Sequence, residues 1–423
     1  MKTILTLLIA VATTVSFSQT TWYEVATGVD NKLNVIDFPS ANVGYIGGND
    51  TLLLKSIDGG KTWNPVNHAG LNVFPGGEDI VDLQFFSEEI GFMVVGPYGG
   101  TYKTVDGGLN WTAITVSGNL CYQEALFFFS ENEGFIGGSG CFEGELIDLY
   151  DGSSTNQATM NDNGLGGGEA IVDIDFLNSN YGLAASSGGR IFRTTDGGNN
   201  WDSIPINVGQ NATLNSIEIT ADSIAFAGIS YPGGSNGVLK TTDWGLNWFI
   251  DTYTPFPVLT MNFHDTHLGS NGILYAPCTM ISTSGFRIFE NPDPGASWSG
   301  WNQETVGQPI YNMTSYADSV VWGVGDSGYV VVNTPPTSLS VWEYDQLVEF
   351  NLFPNPTNNV LNIELVGAGS NLRQITIYDL SGKKLMDLNP IQKQIDVSSL
   401  TTGVYLLEVK TDAGCKTNRF VKD

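Results

Sequence analysis

The chain has 423 residues, of which 41% are hydrophobic and 11% aromatic, with Gly 51 and a formal net charge of −27. So much apolar material builds a packed core, which excludes a wholly disordered chain. The acidity excludes a surface made for nucleic acid or anionic lipid.

The first element in chain order is an export signal. Lys2 is followed by an apolar run from Ile4 to Val15, and the small residues Ser16 and Ser18 precede Gln19. Residues 1–18 therefore read as a signal peptide, too short to span a bilayer, which takes ~20 apolar residues. No other stretch reaches that length, so no transmembrane segment is expected. The charge is uneven: from Asp345 onward eight basic residues face nine acidic ones, while the first 344 residues hold nine against 35.

Internal repetition dominates the chain beyond the signal. Ser56-Ile-Asp-Gly-Gly-Lys-Thr-Trp63, Thr104-Val-Asp-Gly-Gly-Leu-Asn-Trp111, Thr194-Thr-Asp-Gly-Gly-Asn-Asn-Trp201 and Thr241-Thr-Asp-Trp-Gly-Leu-Asn-Trp248 share one pattern. A weaker copy runs from Asn291 through Asp293 to Trp298, and a decayed one is expected at Tyr150-Asp-Gly, with its Asp at 151. In such a turn the carboxylate accepts backbone N–H groups, glycine takes a positive φ, and the tryptophan ring anchors the strands that the turn joins.

Upstream of each turn the same short strands recur, for example Asn34-Val-Ile-Asp-Phe, Ile80-Val-Asp-Leu-Gln-Phe and Ile171-Val-Asp-Ile-Asp-Phe, each followed by a Gly-aromatic or Gly-aliphatic run. Seven such starts lie near residues 34, 80, 123, 171, 215, 259 and 311. Three strands, the turn and a fourth strand make one blade. The last copy lacks its fourth strand, which Thr21-Trp-Tyr-Glu-Val supplies. The expectation is an all-β fold, with a seven-bladed β-propeller over residues 19–338.

The Ser/Thr-x-Asp-x-Gly-x-x-Trp turns resemble the Asp-box (BNR) repeat, and the blade pattern is similar to the photosystem II stability and assembly factor family of propellers. The resemblance implies a structural role at the outer rim for Asp58, Trp63, Asp106, Trp111, Asp196, Trp201, Asp243, Trp248, Asp293 and Trp298. It implies fold more than function, and the plant-type role does not transfer to an exported chain.

Residues 339–348 read as a linker. Beyond it, Asn351-Leu-Phe-Pro-Asn-Pro, Ile375-Thr-Ile-Tyr-Asp-Leu-Ser-Gly-Lys, and Leu400-Thr-Thr-Gly-Val-Tyr alternate apolar runs with turn residues. That pattern gives a small Ig-like β-sandwich over 349–423. These motifs resemble the type A C-terminal sorting domain of the type IX secretion system. The resemblance implies a Bacteroidota-type cell, the secretion machinery as a partner, and a product secreted or held on the outer-membrane surface.

Four cysteines fit an oxidising compartment. Cys121 and Cys141 fall in one repeat on neighbouring strands, so a bridge between them is an open expectation; Cys278 and Cys415 read as unpaired. With His 3 and no CxxC spacing, neither a metal nor a cofactor is expected.

Catalysis competes with binding as a reading of the propeller. A sialidase needs three converging arginines, and the propeller has only Arg190, Arg193 and Arg287, the first two on opposite faces of one strand. A glycoside hydrolase would use paired carboxylates, for which Asp173 and Asp175, with Glu124 or Glu169, are candidates. Residues 143–169 read as an insertion that builds a binding face. Trp298, Trp301 and Trp322 read as blade core rather than as a sugar platform. Asp50-Thr51-Leu52 and Asp202-Ser203-Ile204 match a weak O-glycosylation pattern. The favoured reading is a non-catalytic module for a surface protein or glycan; the alternative is a secreted hydrolase.

Overall fold

The computed structural model describes residues 21–422, apart from 72–76, 97, 142–143, 162–168, 207–210, 222, 231–234, 236, 253–259, 282–284, 296–300, 317–319, 335–348, 367–371, 379–383, 389–392 and 412–414. The expected signal peptide and linker lie outside these residues. The chain divides into two compact units, Met1–Ser338 and Leu339–Asp423.

Among the described residues the first unit holds seven sheets, each built on an antiparallel meander of neighbours in sequence. Blade 1 is Leu33–Asp37, Gly44–Gly48, Leu53–Ser56 and Asn64–Pro65. Blade 2 is Asp79–Phe85, Gly91–Gly96, Gly100–Thr104 and Thr112–Ala113. Blades 3, 4, 5 and 6 begin with the inner strands Leu120–Ser130, Ile171–Phe176, Thr213–Ala221 and Met261–Phe263. In blade 7, Ile310–Tyr316, Val320–Gly325 and Val330–Val332 are completed by Tyr23–Val25 from the other end of the unit, with Tyr23 opposite Val332. The fold is a β-propeller whose ring is closed by strand exchange between its two ends, which removes the free edges that an open array would leave.

Packing between blades repeats as the sequence does. A glycine stands at or next to the start of the second strand in blades 1 to 4 (Gly44, Gly91, Gly134, Gly182), because a Cβ there would overlap the ring of Phe38, Phe85, Phe128 or Phe176 near the end of the inner strand. The next aromatic on that second strand stacks on the phenylalanine of the following blade. Tyr45 lies 3.6 Å from Phe85, Phe92 3.9 Å from Phe128, Phe135 4.6 Å from Phe176, and Trp322 4.0 Å from Phe38 across the closure. Each hydrophobic cluster therefore spans two blades, as when Leu183 and Ile191 of blade 4 pack with Ile217 and Leu239 of blade 5.

The second unit is a β-sandwich. One sheet orders Glu349–Phe353, Val360–Val366 and Gln394–Asp396; the other orders Lys384–Asp387, Leu372–Tyr378, Gly403–Thr411 and Cys415–Lys422. Phe350, Leu361, Ile375, Leu407, Val409 and Phe420 fill the space between them. This is the two-layer arrangement expected from alternating apolar runs.

Candidate functional site

Four turns share one hydrogen-bond network. In blade 2 the Gly108 N–H donates to Thr104 Oγ1 (3.1 Å), whose hydroxyl donates to Asp106 Oδ1 (2.9 Å). The Asn110 N–H donates to the same Oδ1 (2.9 Å), its side-chain amide to Oδ2 (2.8 Å), and Trp111 Nε1 to the Gly108 carbonyl (3.0 Å). The same network surrounds Asp58 with Trp63, Asp196 with Trp201, and Asp243 with Trp248. Bonds from the Asn110 side chain and backbone hold the Asp106 carboxyl below its usual range, and those of Asn200 and Asn247 do the same for Asp196 and Asp243. At Asp58 burial pushes the carboxyl up, but the bonds from Thr62, Ser56 and Lys61 outweigh it. Both oxygens of each of these aspartates are engaged within its own turn. Asp293 accepts the Gly295 N–H (3.1 Å) in a simpler turn, and Trp298 lies outside the described residues.

Blade 3 departs from the expected alignment. Ser56, Thr104 and Thr194 pair with Gly44, Gly91 and Gly182, and the residue that pairs with the equivalent Gly134 is Tyr150. Asp151 is therefore one position out of register with the box aspartates. Its Oδ1 instead accepts the N–H groups of Ser153 (3.0 Å) and Ser154 (2.8 Å) in a shorter turn, while the Tyr150 ring turns inward against Phe92 and Phe128. The expected insertion 143–169 is also mostly blade: Glu145–Tyr150 and Thr155–Gln157 are its outer strands, and Thr159–Asn161 runs parallel to the outer strand of blade 4. Loss of the box pattern hides those strands in the sequence. A cleft of about 600 Å³, lined in part by Asn132, Glu133, Asp151, Asn156 and Asn199, lies beside the shortened turn. At the other end of the blade Cys121 and Cys141 are disulfide-bonded, with Cα atoms 5.2 Å apart, and Cys278 is buried as a free thiol.

The second set of polar side chains comes from the inner strands. Six of these strands carry a bulge at one level, between Leu33 and Val35, Ile80 and Asp82, Gln123 and Ala125, Ile171 and Asp173, Leu214 and Ser216, and Ile310 and Asn312. A bulge re-aims the side chains that come after it, and here these reach the next blade. Asp82 Oδ2 accepts the Leu126 N–H (2.8 Å), Asp173 Oδ2 that of Ile217 (2.7 Å) and Asn312 Oδ1 that of Ile36 (3.0 Å). In blade 6, which has no such bulge among the described residues, Asp265 just past Met261–Phe263 accepts the Met313 N–H on Oδ2 (2.8 Å). Two residues further along, Asp37 Oδ2 takes the Phe85 N–H (2.6 Å), Gln84 Oε1 that of Phe128 (2.9 Å), and Asp175 Oδ2 that of Ile219 (2.6 Å). The other oxygens of Asp82, Asp173, Asp175 and Asp265 accept the N–H of the following residue. These side chains are two tiers of clamps from blade to blade.

Burial pushes the clamp carboxyls up, to about 6 for Asp37, Asp175 and Asp265 and about 7 for Asp82, despite the backbone N–H bonds that favour the charged form. Asp173 and Glu218 are also raised, by burial first and then by neighbouring carboxylates.

Asp173 and Asp175 thus stand on one strand as expected, but with both oxygens of each already bonded to backbone. Glu169 is instead beside Arg190 (3.5 Å), which binds Glu145 at 2.7 Å, and Glu124 is the bulged residue of blade 3. Trp301 and Trp322 are buried in the blade core. The clamps have a visible signal, polar residues at alternate positions of apolar inner strands, but alternation alone does not tell a bond to the next blade from a free side chain.

The fourth box breaks its own rule. Where the sister turns have Gly59, Gly107 and Gly197 at φ +71° to +72°, this one has Trp244 at φ +66°. A left-handed tryptophan costs of order 1–3 kcal/mol, yet its side chain stays 41% exposed. Its ring meets Tyr181 edge-on at 5.4 Å, and Arg193, whose guanidinium lies over Tyr181 at 5.3 Å, donates from Nε to the Trp244 carbonyl (2.8 Å).

Residues 351–423 match the family model of the secretion system C-terminal sorting domain. No curated protein matches the chain. Among solved structures, YCF48 bound to D1 peptide is similar over 75% of this chain and 96% of its own, at 16% identity and a TM-score of 0.57. YCF48 from Cyanidioschyzon merolae is similar over 74% and 98%, at 17% identity and 0.55. The extracellular domain of the putative one component system BT4673 from B. thetaiotaomicron is similar over 96% of this chain and 59% of its own, at 12% identity and 0.53. At these identities the likeness is one of fold. Among the described residues no helix is long and apolar enough to cross a membrane. The chain is a β-propeller followed by a C-terminal sorting domain of the type IX secretion system, which marks it for export.

Proposed function

We propose that the protein is a non-catalytic binding or scaffold propeller that meets a protein or glycan partner outside the cell, after export through its residues 349–423. One observation carries the reading: Asp173 and Asp175, the best-placed carboxylate pair for hydrolysis, have every carboxylate oxygen engaged by a backbone N–H, one oxygen of each within its own strand and the other across to blade 5. A general acid must give its proton to a leaving group, and a nucleophile or base must approach substrate or water. A carboxylate with a backbone N–H on each oxygen, one of them holding the blade junction, is poorly placed for either role. The box aspartates are equally committed to their turns. The peptide complex of YCF48, a protein similar in fold, supports the use of such a scaffold for recognition.

The test is to incubate the purified full chain with a panel of polysaccharides and sialosides, and to follow reducing-end release and retained complex in parallel. Retention of a glycan, or capture of a surface protein, without release supports the reading. Release above the buffer rate overturns it.

A further inference from the structure

We infer that Trp244 and Arg193, at the junction of blades 4 and 5, form a shelf that binds acidic sugar rings of the uronate type. The inference deepens the reading of the propeller as a binding module and rests on it. Three independent observations meet here. Trp244 occupies a left-handed position that three sister turns give to glycine, so the indole is kept against the local backbone preference. That indole is not repaid by full burial, since it remains 41% exposed, with Leu246 (52%) and Phe249 (48%) exposed nearby in the sequence. Strain held at an exposed aromatic marks a site where the side chain is wanted outside.

The third observation is charge. Among the described residues, the ion pairs of the propeller engage Lys103, Arg190 and Lys240, and none involves Arg193. Lys32, Lys55, Lys61 and Arg287 are likewise outside those pairs, so what sets Arg193 apart is its place beside the exposed indole. Its Nε is fixed on the Trp244 carbonyl at 2.8 Å, and its Cζ lies 5.3 Å from the centre of the Tyr181 ring, which in turn buttresses the indole. The guanidinium is thus oriented by the residue beside which it would act, and guanidinium geometry suits a carboxylate. A flat indole face takes the apolar C–H face of a pyranose ring, and the cation beside it takes the ring's carboxylate. A neutral sugar uses only the first element and an acidic peptide only the second, so a uronate fits both.

The test measures binding of the full chain to polygalacturonate, with dextran and polyglutamate as neutral and peptide controls, at low and high salt. We expect salt-sensitive binding to polygalacturonate and at least tenfold weaker binding to either control. Trp244→Gly, which restores the residue of the sister turns, should lose tenfold or more at an unchanged or higher Tm. Arg193→Gln should lose as much and abolish the salt dependence, and it serves where the first variant misfolds. Wild-type binding by both variants would overturn the inference, as would equal binding of dextran or polyglutamate, or no binding to polygalacturonate. If the chain nevertheless captures another partner without hydrolysis, the shelf is refuted and the proposed function stands.

Discussion

Two neighbouring junctions of the propeller solve one problem with opposite chemistry. Between blades 3 and 4 the clamp positions of blade 3 are Ala125 and Phe127, and the contact is aromatic: Phe127, Phe129 and Phe135 surround Phe176 at 5.2, 5.1 and 4.6 Å. Between blades 4 and 5 the stacking positions are aliphatic, Leu183 and Ile219, and polar clamps are added to the apolar packing: Asp173 and Asp175 bond the Ile217 and Ile219 N–H groups. A repeat fold needs each unit to adhere to the next, but not by the same means. The comparison also explains why acidic residues persist in an apolar strand. They satisfy backbone donors that no strand partner reaches, and an orphaned buried N–H is costly.

The largest expected effect falls on the aromatic junction. Phe176→Ala removes a ring packed by three phenylalanines and Trp201, and should cost about 3–5 kcal/mol in denaturant unfolding, with no dependence on pH between 5 and 8. Asp175→Ala at the polar junction should cost less, about 1–3 kcal/mol, because it orphans the Ile219 and Phe176 N–H groups. Equal losses at the two sites would mean that the Asp175 bonds hold their junction as firmly as the rings hold theirs.

The sign of the pH response sharpens the contrast. Asp37, Asp82, Asp175 and Asp265 titrate near 6 to 7 in the fold, against about 3.9 in an unfolded chain. The folded state therefore binds more protons in that window, so their contribution is complete below about pH 4 and is lost as pH rises through 6 to 7. Thermal scans should give a higher Tm at pH 5.5 than at pH 8, and Asp82→Asn should flatten the slope. The box aspartates run the other way: their depressed carboxyls contribute above the unfolded value and lose that contribution as pH falls through the folded one. The smallest effect belongs to the rim, where Asp196→Ala should cost about 1 kcal/mol, similar to the loss of a helix cap, because its turn is largely exposed.

Much of this is legible in the sequence. The repeat spacing carries the blade pattern, and Thr21-Trp-Tyr-Glu-Val points to the closing strand because a fourth strand is missing at the other end. The sorting domain is readable from its turn residues and alternation. Blade 3 reads one residue out of register because an Asp stands where the repeat expects one, and only the pairing of Tyr150 with Gly134 shows the slip. The clamps are visible as carboxylates but not as bonds, since their partners lie 44 to 48 residues away on another blade. Trp244 is in plain view within its box, but its meaning depends on a backbone angle that the sequence does not state.

The most direct measurement compares the wild-type chain with Asp173→Asn/Asp175→Asn for both Tm and reducing-end release across polysaccharides. If these carboxylates are clamps, the pair of changes lowers or reshapes thermal unfolding, and neither protein releases reducing ends. If the wild type releases them and the variant, still folded at the wild-type Tm, does not, the carboxylates are catalytic and the account is wrong.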